Sequence, residues 1–485
     1  MGTAKHIHLI GICGTAMASL AGMLQRRGLR VTGSDRGAYP PMSDFLAQLG
    51  IAVLQPFSEQ NLSPRPDLVV VGNAISRGNP ELEFCLDRRI PFTSMAQLLR
   101  EQFLLDCEVL CVAGTHGKTT TTSMLAWIFE TAAKNPSFLI GGIAENFGSS
   151  FQVVDRSPYF IIEGDEYDTA FFDKGPKFLH YFPDALILTS VEFDHADIYR
   201  DLEAVKTAFR RLVNLVPRRG RIVAYDGSFH VEECVRDAFC PVETYGFTER
   251  ASWRIDYVEY QPERTLWRVR RNGEPWGDFE FALAGEFNVL NATAAAALAA
   301  GFGISQTAIA HALAGFRSVR RRLEVKAEPA GVTIIDDFAH HPTAIAATLK
   351  ALRTRYPGRR LWAICEPRSN TLRRSVFQHE LARSLAMADE AILAEIFRPE
   401  AIAEHERLDT AAVIAMIRAL GRPAAVLADA DAIVREVAPR VRPGDVIVIL
   451  SNGGFGGIYD KLPQRIAELH APAIPGAYSN STRRR

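Results

Sequence analysis

Seven consecutive residues, Gly114-Thr115-His116-Gly117-Lys118-Thr119-Thr120, combine the types needed to hold a phosphate. The apolar run 109–113 precedes them as a buried strand would, and residues 119–129 continue as a helix. In a strand, glycine loop and helix of this kind, loop N–H groups and the positive end of the helix dipole converge on an anion. A lysine placed like Lys118 reaches β- and γ-phosphates, and a hydroxyl placed like Thr119 gives Mg²⁺ an oxygen. The loop is the short form G-T-x-G-K-T; the longer G-x-x-x-x-G-K-T needs glycine at position 112, where Val112 stands. Glycines that only make a turn would not require the flanking strand and helix.

Three acidic clusters follow apolar runs. Glu163-Gly164-Asp165-Glu166-Tyr167-Asp168 comes after 159–162 and carries four carboxylates in six residues. Such groups repel one another unless they spread into solvent or meet cations. Mg²⁺ takes carboxylate and phosphate oxygens, so Glu163, read as the first residue past the strand, is a candidate metal ligand. Glu192-Phe193-Asp194-His195 comes after 185–188. Two such strand ends in one parallel sheet face the same crevice, which makes His195 a candidate for metal or phosphate. Asp336-Asp337-Phe338-Ala339-His340-His341-Pro342 follows 332–335 and opens a helix at Pro342-Thr343. An N-capping loop is the plainer reading; two Asp and two His at a strand's end point to a ligand contact.

Further loops offer polar groups without acid clusters. Glu366-Pro367-Arg368-Ser369-Asn370-Thr371 supplies a guanidinium fork, hydroxyls and an amide, a set suited to a carboxylate. Ser451-Asn452-Gly453-Gly454-Phe455-Gly456-Gly457 permits close backbone approach to a ligand. Arg320-Arg321-Arg322 reads as a solvated patch, or as a phosphate clamp if it sits at a hinge. Gly11-Ile12-Cys13-Gly14-Thr15 can cradle a diphosphate at a helix N-terminus, but Cys13 takes the second glycine place of G-x-G-x-x-G.

The elements that must position these residues read as repeated β-α alternation, the grammar of parallel sheets with crossover helices. Strands are expected at 7–10, 29–32 and 67–71, then at 109–113, 159–162 and 185–188, and last at 332–335, 361–364, 390–393 and 446–450. Residues 249–278 alternate like antiparallel strands, and 288–301 form an alanine-rich helix. Ligands in such folds sit beyond the carboxyl ends of the strands, where residues 11–14, Asp35 and Asn73 fall. With 485 residues the chain exceeds one core. The expected architecture is α/β in three domains: Rossmann-like 1–106, a P-loop mononucleotide-binding domain 107–321 and Rossmann-like 322–470, with a frayed tail 471–485. A net charge of −1 gives no reason to expect nucleic acid or an anionic membrane. No apolar run approaches the ~18 residues of a spanning helix. The chain enters its first strand almost at once, so no signal peptide is expected. Seven cysteines without framework spacing suggest reduced, cytoplasmic thiols.

Taken together, the 114–120 loop, Glu163 to Asp168, Glu192 to His195, Asn288 with Asn291-Ala292, Arg321-Arg322 and Asp336 to Pro342 resemble the Mur ligase family, ATP-dependent amide-forming enzymes of peptidoglycan metabolism. The resemblance spans essentially the whole chain. Within the family, residues 11–15, Gly72-Asn73-Ala74, Arg77-Gly78-Asn79-Pro80 and the 366–371 and 451–457 loops resemble the recycling branch. That branch joins UDP-N-acetylmuramate to L-alanyl-γ-D-glutamyl-meso-diaminopimelate. By the resemblance, ATP would meet Gly114, Thr115, His116, Gly117, Lys118, Thr119, Thr120, Asn288, Asn291, Arg322, Asp337 and His341. Lys118, Glu163 and His195 would be catalytic, with Thr119, Glu163 and His195 binding Mg²⁺. The UDP-sugar would meet Gly11, Cys13, Gly14, Thr15, Asp35, Asn73 and Ala74. The peptide would meet Arg368, Ser369, Asn370, Thr371 and Asn452. A monomer or weak homodimer is expected.

Three positions depart from the family pattern. Ser190 stands where Asn is common before the acidic-His run, and Phe287 precedes Asn288 where His is common. Several relatives carry a carbamylated lysine downstream of the His; Phe209 takes that place, Lys206 is the nearby lysine, and no modification is assigned. Competing readings are the ligase that adds L-alanine to the same nucleotide sugar and a non-catalytic nucleotide-binding regulator. An NAD-dependent oxidoreductase leaves Lys118, Glu163 and His195 without a role.

Overall fold

The computed structural model describes residues 5–38 and 42–470, so the expectation for 471–485 lies outside the described residues. The chain divides into two compact units, Met1–Arg320 and Arg321–Arg485. The expected α/β architecture is present in both.

The first unit opens with a five-stranded parallel sheet ordered Val53–Leu54, Arg30–Ser34, His6–Ile10, Leu68–Val71, Phe92–Ser94. Its central strands are continuous apolar runs because helices cover both faces. Ile7, Leu9, Val69, Val70 and Val71 are buried accordingly. The second strand runs later than the sequence suggested, through Ser34, since its paired residues extend to Ile10↔Ser34.

A ten-stranded sheet follows. Glu108–Ala113 lies between Ala185–Leu188 and Tyr159–Gly164, parallel to both. The loops leaving these three strands therefore emerge at one edge. Trp253–Tyr260, Thr265–Arg271 and Glu274–Phe281 form the antiparallel extension read from the alternation. Helix Lys118–Thr131 starts one residue earlier than expected, at the lysine itself. It packs against the alanine-rich helix Glu286–Gly301, whose small side chains let the two backbones come close.

Two site expectations are corrected here. Glu163 is not past its strand: it pairs in register with Val112, within Tyr159–Gly164. Asp336 and Asp337 likewise close the strand Thr333–Asp337. In both cases the ladder to a neighbouring strand continues through the acids, which apolar patterning alone cannot show.

The second unit is a six-stranded sheet ordered Glu324–Ala327, Thr333–Asp337, Val446–Leu450, Leu361–Cys365, Glu390–Ala394, Ala424–Leu427. Only the first of these pairs antiparallel. The loops 366–371 and 451–457 follow adjacent strands at their carboxyl ends.

Candidate active site

The phosphate-type loop is held by the loop after Ala185–Leu188. Thr115 N–H donates to the Ser190 carbonyl at 3.0 Å, and His116 N–H donates to the Ser190 hydroxyl at 2.8 Å. Thr189 donates to the His116 carbonyl at 2.6 Å. Ser190 thus performs a loop-holding task with a hydroxyl. Gly117 has φ +79°, and a Cβ there would lie 2.5 Å from Asn291 Oδ1, so this residue has to be glycine. Asn291 is 5% exposed and its Nδ2 has no partner, beside the loop. Asn288 instead donates back to the Ala284 carbonyl at 2.7 Å. Thr120 is buried in the first turn.

Lys118 Nζ donates to the loop carbonyls of Gly114 at 2.7 Å and Thr115 at 3.2 Å, and to Glu166 Oε1 at 2.9 Å. Burial would lower the lysine's pKa, but the Glu166 and Glu163 carboxylates outweigh it and hold it above the ordinary value. Thr119 donates to Glu163 Oε1 at 3.0 Å, and Gly141 N–H donates to Glu163 Oε2 at 2.7 Å. A Cβ at Gly141 would fall 2.6 Å from that oxygen, so the close approach depends on glycine.

Three of the four carboxylates after residue 162 meet cations of the chain itself. Asp165 lies 2.7 Å from Lys177, Asp168 2.6 Å from Lys174, and Glu166 2.9 Å from Lys118. Burial pushes the Asp165 carboxyl up, yet Lys177 prevails and holds it down at about 2. Glu166 Oε1 also lies 3.0 Å from His195 Nε2. The His195 pKa is raised: burial opposes the charge, and the Glu166 carboxylate more than offsets it. His195 has φ +56°, a left-handed conformation uncommon outside glycine. It caps Asp194, donating its N–H to Oδ1 at 2.7 Å.

The structure therefore divides the proposed metal set. Thr119 and Glu163 face each other, whereas His195 faces Glu166. Sequence reasoning gave Glu166 no role, since it is one acid among four. Glu192 pairs with His116 at 3.4 Å, tying the second acidic cluster to the loop. Lys206 is 5% exposed and sits between Glu203 and Glu233, the latter at 2.9 Å. Phe209 packs in the core against Phe178.

In the N-terminal sheet, Gly11 and Ile12 N–H groups donate to the Ser34 carbonyl, and Cys13 N–H donates to Asp35 Oδ2 at 2.9 Å. Asp35 is thus the anchor of the loop. Burial and the Asp35 carboxylate push the Cys13 thiol up to about 11. Gly14 caps the helix Thr15–Arg26 without a side-chain bond, leaving its first N–H groups for a ligand. Asn73 and Ala74 are exposed beyond their strand.

In the second unit, Asp337 accepts from Leu323 N–H at 2.8 Å, Ala339 N–H at 3.0 Å and the Thr348 hydroxyl at 3.1 Å. His341 caps the helix Pro342–Arg355 through Thr343 N–H at 3.3 Å. Arg322 stacks over Phe338 at 5.2 Å. Arg321, which carried no assignment, bridges Asp336 at 2.9 Å, the Ser451 and Gly453 carbonyls at 2.8 and 3.0 Å, and Tyr459 at 2.8 Å. It locks the glycine loop to the sheet. Arg368 stacks over Phe397 at 3.9 Å and meets Glu366 at 3.5 Å. Ser369 accepts from Leu372 N–H at 3.0 Å, and Asn370 accepts from Arg373. Thr371 is buried, and Asn452 Oδ1 is buried without a partner.

Comparison with known proteins accords with this arrangement. Residues 6–104 match the Mur ligase family catalytic domain, 112–299 the Mur ligase middle domain and 321–453 the Mur ligase glutamate ligase domain. The UDP-N-acetylmuramate–L-alanyl-γ-D-glutamyl-meso-2,6-diaminoheptandioate ligase of Escherichia coli strain K12 is 43% identical over 464 residues, 95% of this chain and 98% of that one. The UDP-N-acetylmuramate–L-alanine ligase of Variovorax paradoxus is 32% identical over 496 residues, covering 99% and 98%. The crystal structure of a murein peptide ligase from Psychrobacter arcticus superposes with a TM-score of 0.73 at 36% identity, over 97% of this chain and 100% of that one. Matches of this length and identity extend through both units, and the chain belongs to the Mur ligase family.

Proposed function

We propose that this chain is an ATP-dependent ligase that joins UDP-N-acetylmuramate to the tripeptide L-alanyl-γ-D-glutamyl-meso-diaminopimelate. The observation that carries the reading is full-length identity, higher to the tripeptide ligase than to the L-alanine ligase. The second unit agrees with it. Arg368, stacked on Phe397 and packed against Gly453, is a charged anchor for a peptide carboxylate. L-alanine alone needs no such extended set. Residues 1–106 would hold the UDP-sugar at the Gly11–Gly14 loop, 107–321 ATP, and 322–470 the peptide.

A carboxylate is a poor acyl donor at neutral pH, so it must first be activated. In the proposed reaction the muramate carboxylate oxygen forms a bond to the γ-phosphorus as the β,γ-bridging P–O bond breaks and ADP leaves. The alanyl amine then bonds to the acyl carbon, the acyl C–O bond breaks, and phosphate and a proton depart. Lys118, already at the loop carbonyls, would turn to the phosphates and offset their growing charge. Residues 114–117 would donate N–H groups to the same oxygens.

The Thr119 hydroxyl and Glu163 carboxylate form a hard oxygen pair 3.0 Å apart, a donor set that fits Mg²⁺. When bound there, the ion would neutralise phosphate charge. Seven free cysteines agree with a reduced, cytoplasmic setting, and among the described residues no helix is long and apolar enough to cross a membrane.

The test is to supply UDP-N-acetylmuramate labelled with ¹⁸O in its carboxylate, together with ATP, Mg²⁺ and tripeptide. One ¹⁸O in the released phosphate for each nucleotide-linked tripeptide formed is expected. Unlabelled phosphate, or no product, would overturn the reading.

A further inference from the structure

Glu81 is a fully buried carboxylate behind the first sheet, with His8 and Ser34 equally buried beside it. It lies in the first turn of the helix Pro80–Asp87, whose Leu82 and Cys85 join an apolar cluster with Ile10, Val69 and Val71. A carboxylate in such a place costs more to desolvate than an apolar side chain, so packing gives no reason for it.

Both of its oxygens are engaged. Oε2 accepts from the Ser34 hydroxyl and lies 3.3 Å from His8 Nε2. Oε1 accepts from Ser58 N–H at 3.1 Å and from the Asn61 amide at 2.7 Å. His8 Nδ1 is in turn 2.9 Å from the Thr32 hydroxyl. Burial would lift the Glu81 pKa, but these donors outweigh it and hold it below the ordinary value. An ionised carboxylate only accepts, so all four neighbours donate to it.

Four segments therefore meet at one side chain: the first strand at His8, the end of the second at Ser34, the turn at 58–61, and the helix that follows the loop 72–79. The residues expected to meet the UDP-sugar lie next to three of them. Gly11 to Thr15 follow the first strand, Asp35 follows the second, and Asn73 and Ala74 precede the helix. Ser34 carries the link onward. Its hydroxyl donates to Glu81, while its carbonyl accepts from Gly11 N–H at 2.8 Å and Ile12 N–H at 3.0 Å. Asp35, the next residue, takes Cys13 N–H at 2.9 Å. Residue 34 thus sets the loop 11–14, and Glu81 sets residue 34.

We propose that Glu81 is a positioning residue of the UDP-sugar site, acting through Ser34 to hold the loop 11–14 in register with the loop 72–79. The inference rests on the reading above for the ligand. The link from Glu81 to the loop does not depend on it.

Glu81→Gln, Ser34→Ala and the double variant test this in the full-length protein. An amide has one accepting oxygen, so Glu81→Gln leaves two donors without an acceptor whichever way it turns. Hydrogen exchange of a peptide covering residues 11–14, followed by mass spectrometry without ligand, should quicken about tenfold in each single variant. UDP-N-acetylmuramate binding, measured by calorimetry, should weaken about tenfold in each. Binding of the ATP analogue AMP-PCP should stay within about twofold, since its loop lies on another sheet. The double variant should lose about tenfold and not about a hundredfold, because both changes cut one chain of bonds. Unchanged exchange in the single variants, losses that multiply in the double variant, or an equal loss of AMP-PCP binding would each overturn the proposal. Ser34→Ala leaves three donors on Glu81, so it decides the matter if Glu81→Gln does not fold. Failure of the wild type to bind UDP-N-acetylmuramate would instead overturn the ligand reading, and the exchange measurement would still decide the link.

Discussion

The Thr119 hydroxyl and Glu163 Oε1 lie 3.0 Å apart, joining the first turn of a helix to the penultimate residue of a neighbouring strand. Gly141 N–H fixes the other oxygen of the same carboxylate at 2.7 Å. One position is thereby set by three separate chain segments. Thr119→Ala and Glu163→Gln should each lower kcat at least about a hundredfold. ATP binding measured without divalent metal should change little. A Glu163→Gln enzyme with near wild-type kcat would contradict the assignment.

Arg368→Met should raise KM for the tripeptide about tenfold or more, the loss of one charge-assisted contact. KM for ATP and for UDP-N-acetylmuramate should stay within about twofold. Steady-state kinetics with each substrate varied in turn checks this. A uniform rise in all three would instead mark general damage to the second unit.

Arg321 and Asp336 form a pair in which the acid is 2% exposed and the arginine 24%. Burial lifts the Asp336 pKa above the ordinary value even against the guanidinium. Arg321→Met should cost about 3 kcal/mol at neutral pH, since it strands a buried carboxylate. The sign with pH follows from that raised pKa. Without Arg321 the folded-state pKa rises further, so the loss grows as pH climbs from the wild type's folded-state pKa to the variant's, and shrinks as pH falls below the first of these. Denaturant unfolding of both proteins at two pH values measures it; a pH-independent loss would contradict the pair.

Cys13 carries a thiol raised from 9.0 to about 11 by burial and by Asp35. At pH 8 its thiolate population is lower than that of an ordinary thiol by about a hundredfold. Alkylation at Cys13, followed by mass spectrometry, should therefore stay slow until strongly alkaline pH. Asp35→Asn should speed it and also weaken UDP-sugar binding, because the Cys13 N–H anchor is lost. Ready alkylation of the wild type at pH 8 would contradict this.

Glu166 is the main reason His195 is raised against its burial. Glu166→Gln should bring the imidazole pKa down, below the ordinary 6.5, because burial then prevails. Histidine side-chain NMR resolves the shift, and an unmoved His195 would show that another group sets its charge.

Much of this was legible in the chain itself. The strands Ala185–Leu188 and Val446–Leu450 coincide with their apolar runs, because buried parallel strands exclude polar residues. The phosphate-type loop was equally plain, its glycines and lysine being adjacent in sequence. Strand ends were less so: Glu163 and Asp337 continue their ladders although they are polar, and only pairing with a neighbour reveals it. Glu166 was hidden for a different reason. Four acids in six residues look alike until the fold assigns each its partner, and two of those partners lie 48 residues back at Lys118 and 12 residues on from Asp165 at Lys177. Arg321 was unreadable in the same way, since its partners lie up to 138 residues away.

The most direct test supplies ATP, Mg²⁺ and UDP-N-acetylmuramate, and measures phosphate release with the tripeptide against L-alanine in parallel. Release that depends on the tripeptide and is absent with L-alanine is the predicted result. Equal or greater release with L-alanine would move the chain to the other branch of its family, and release with neither would contradict the ligase account.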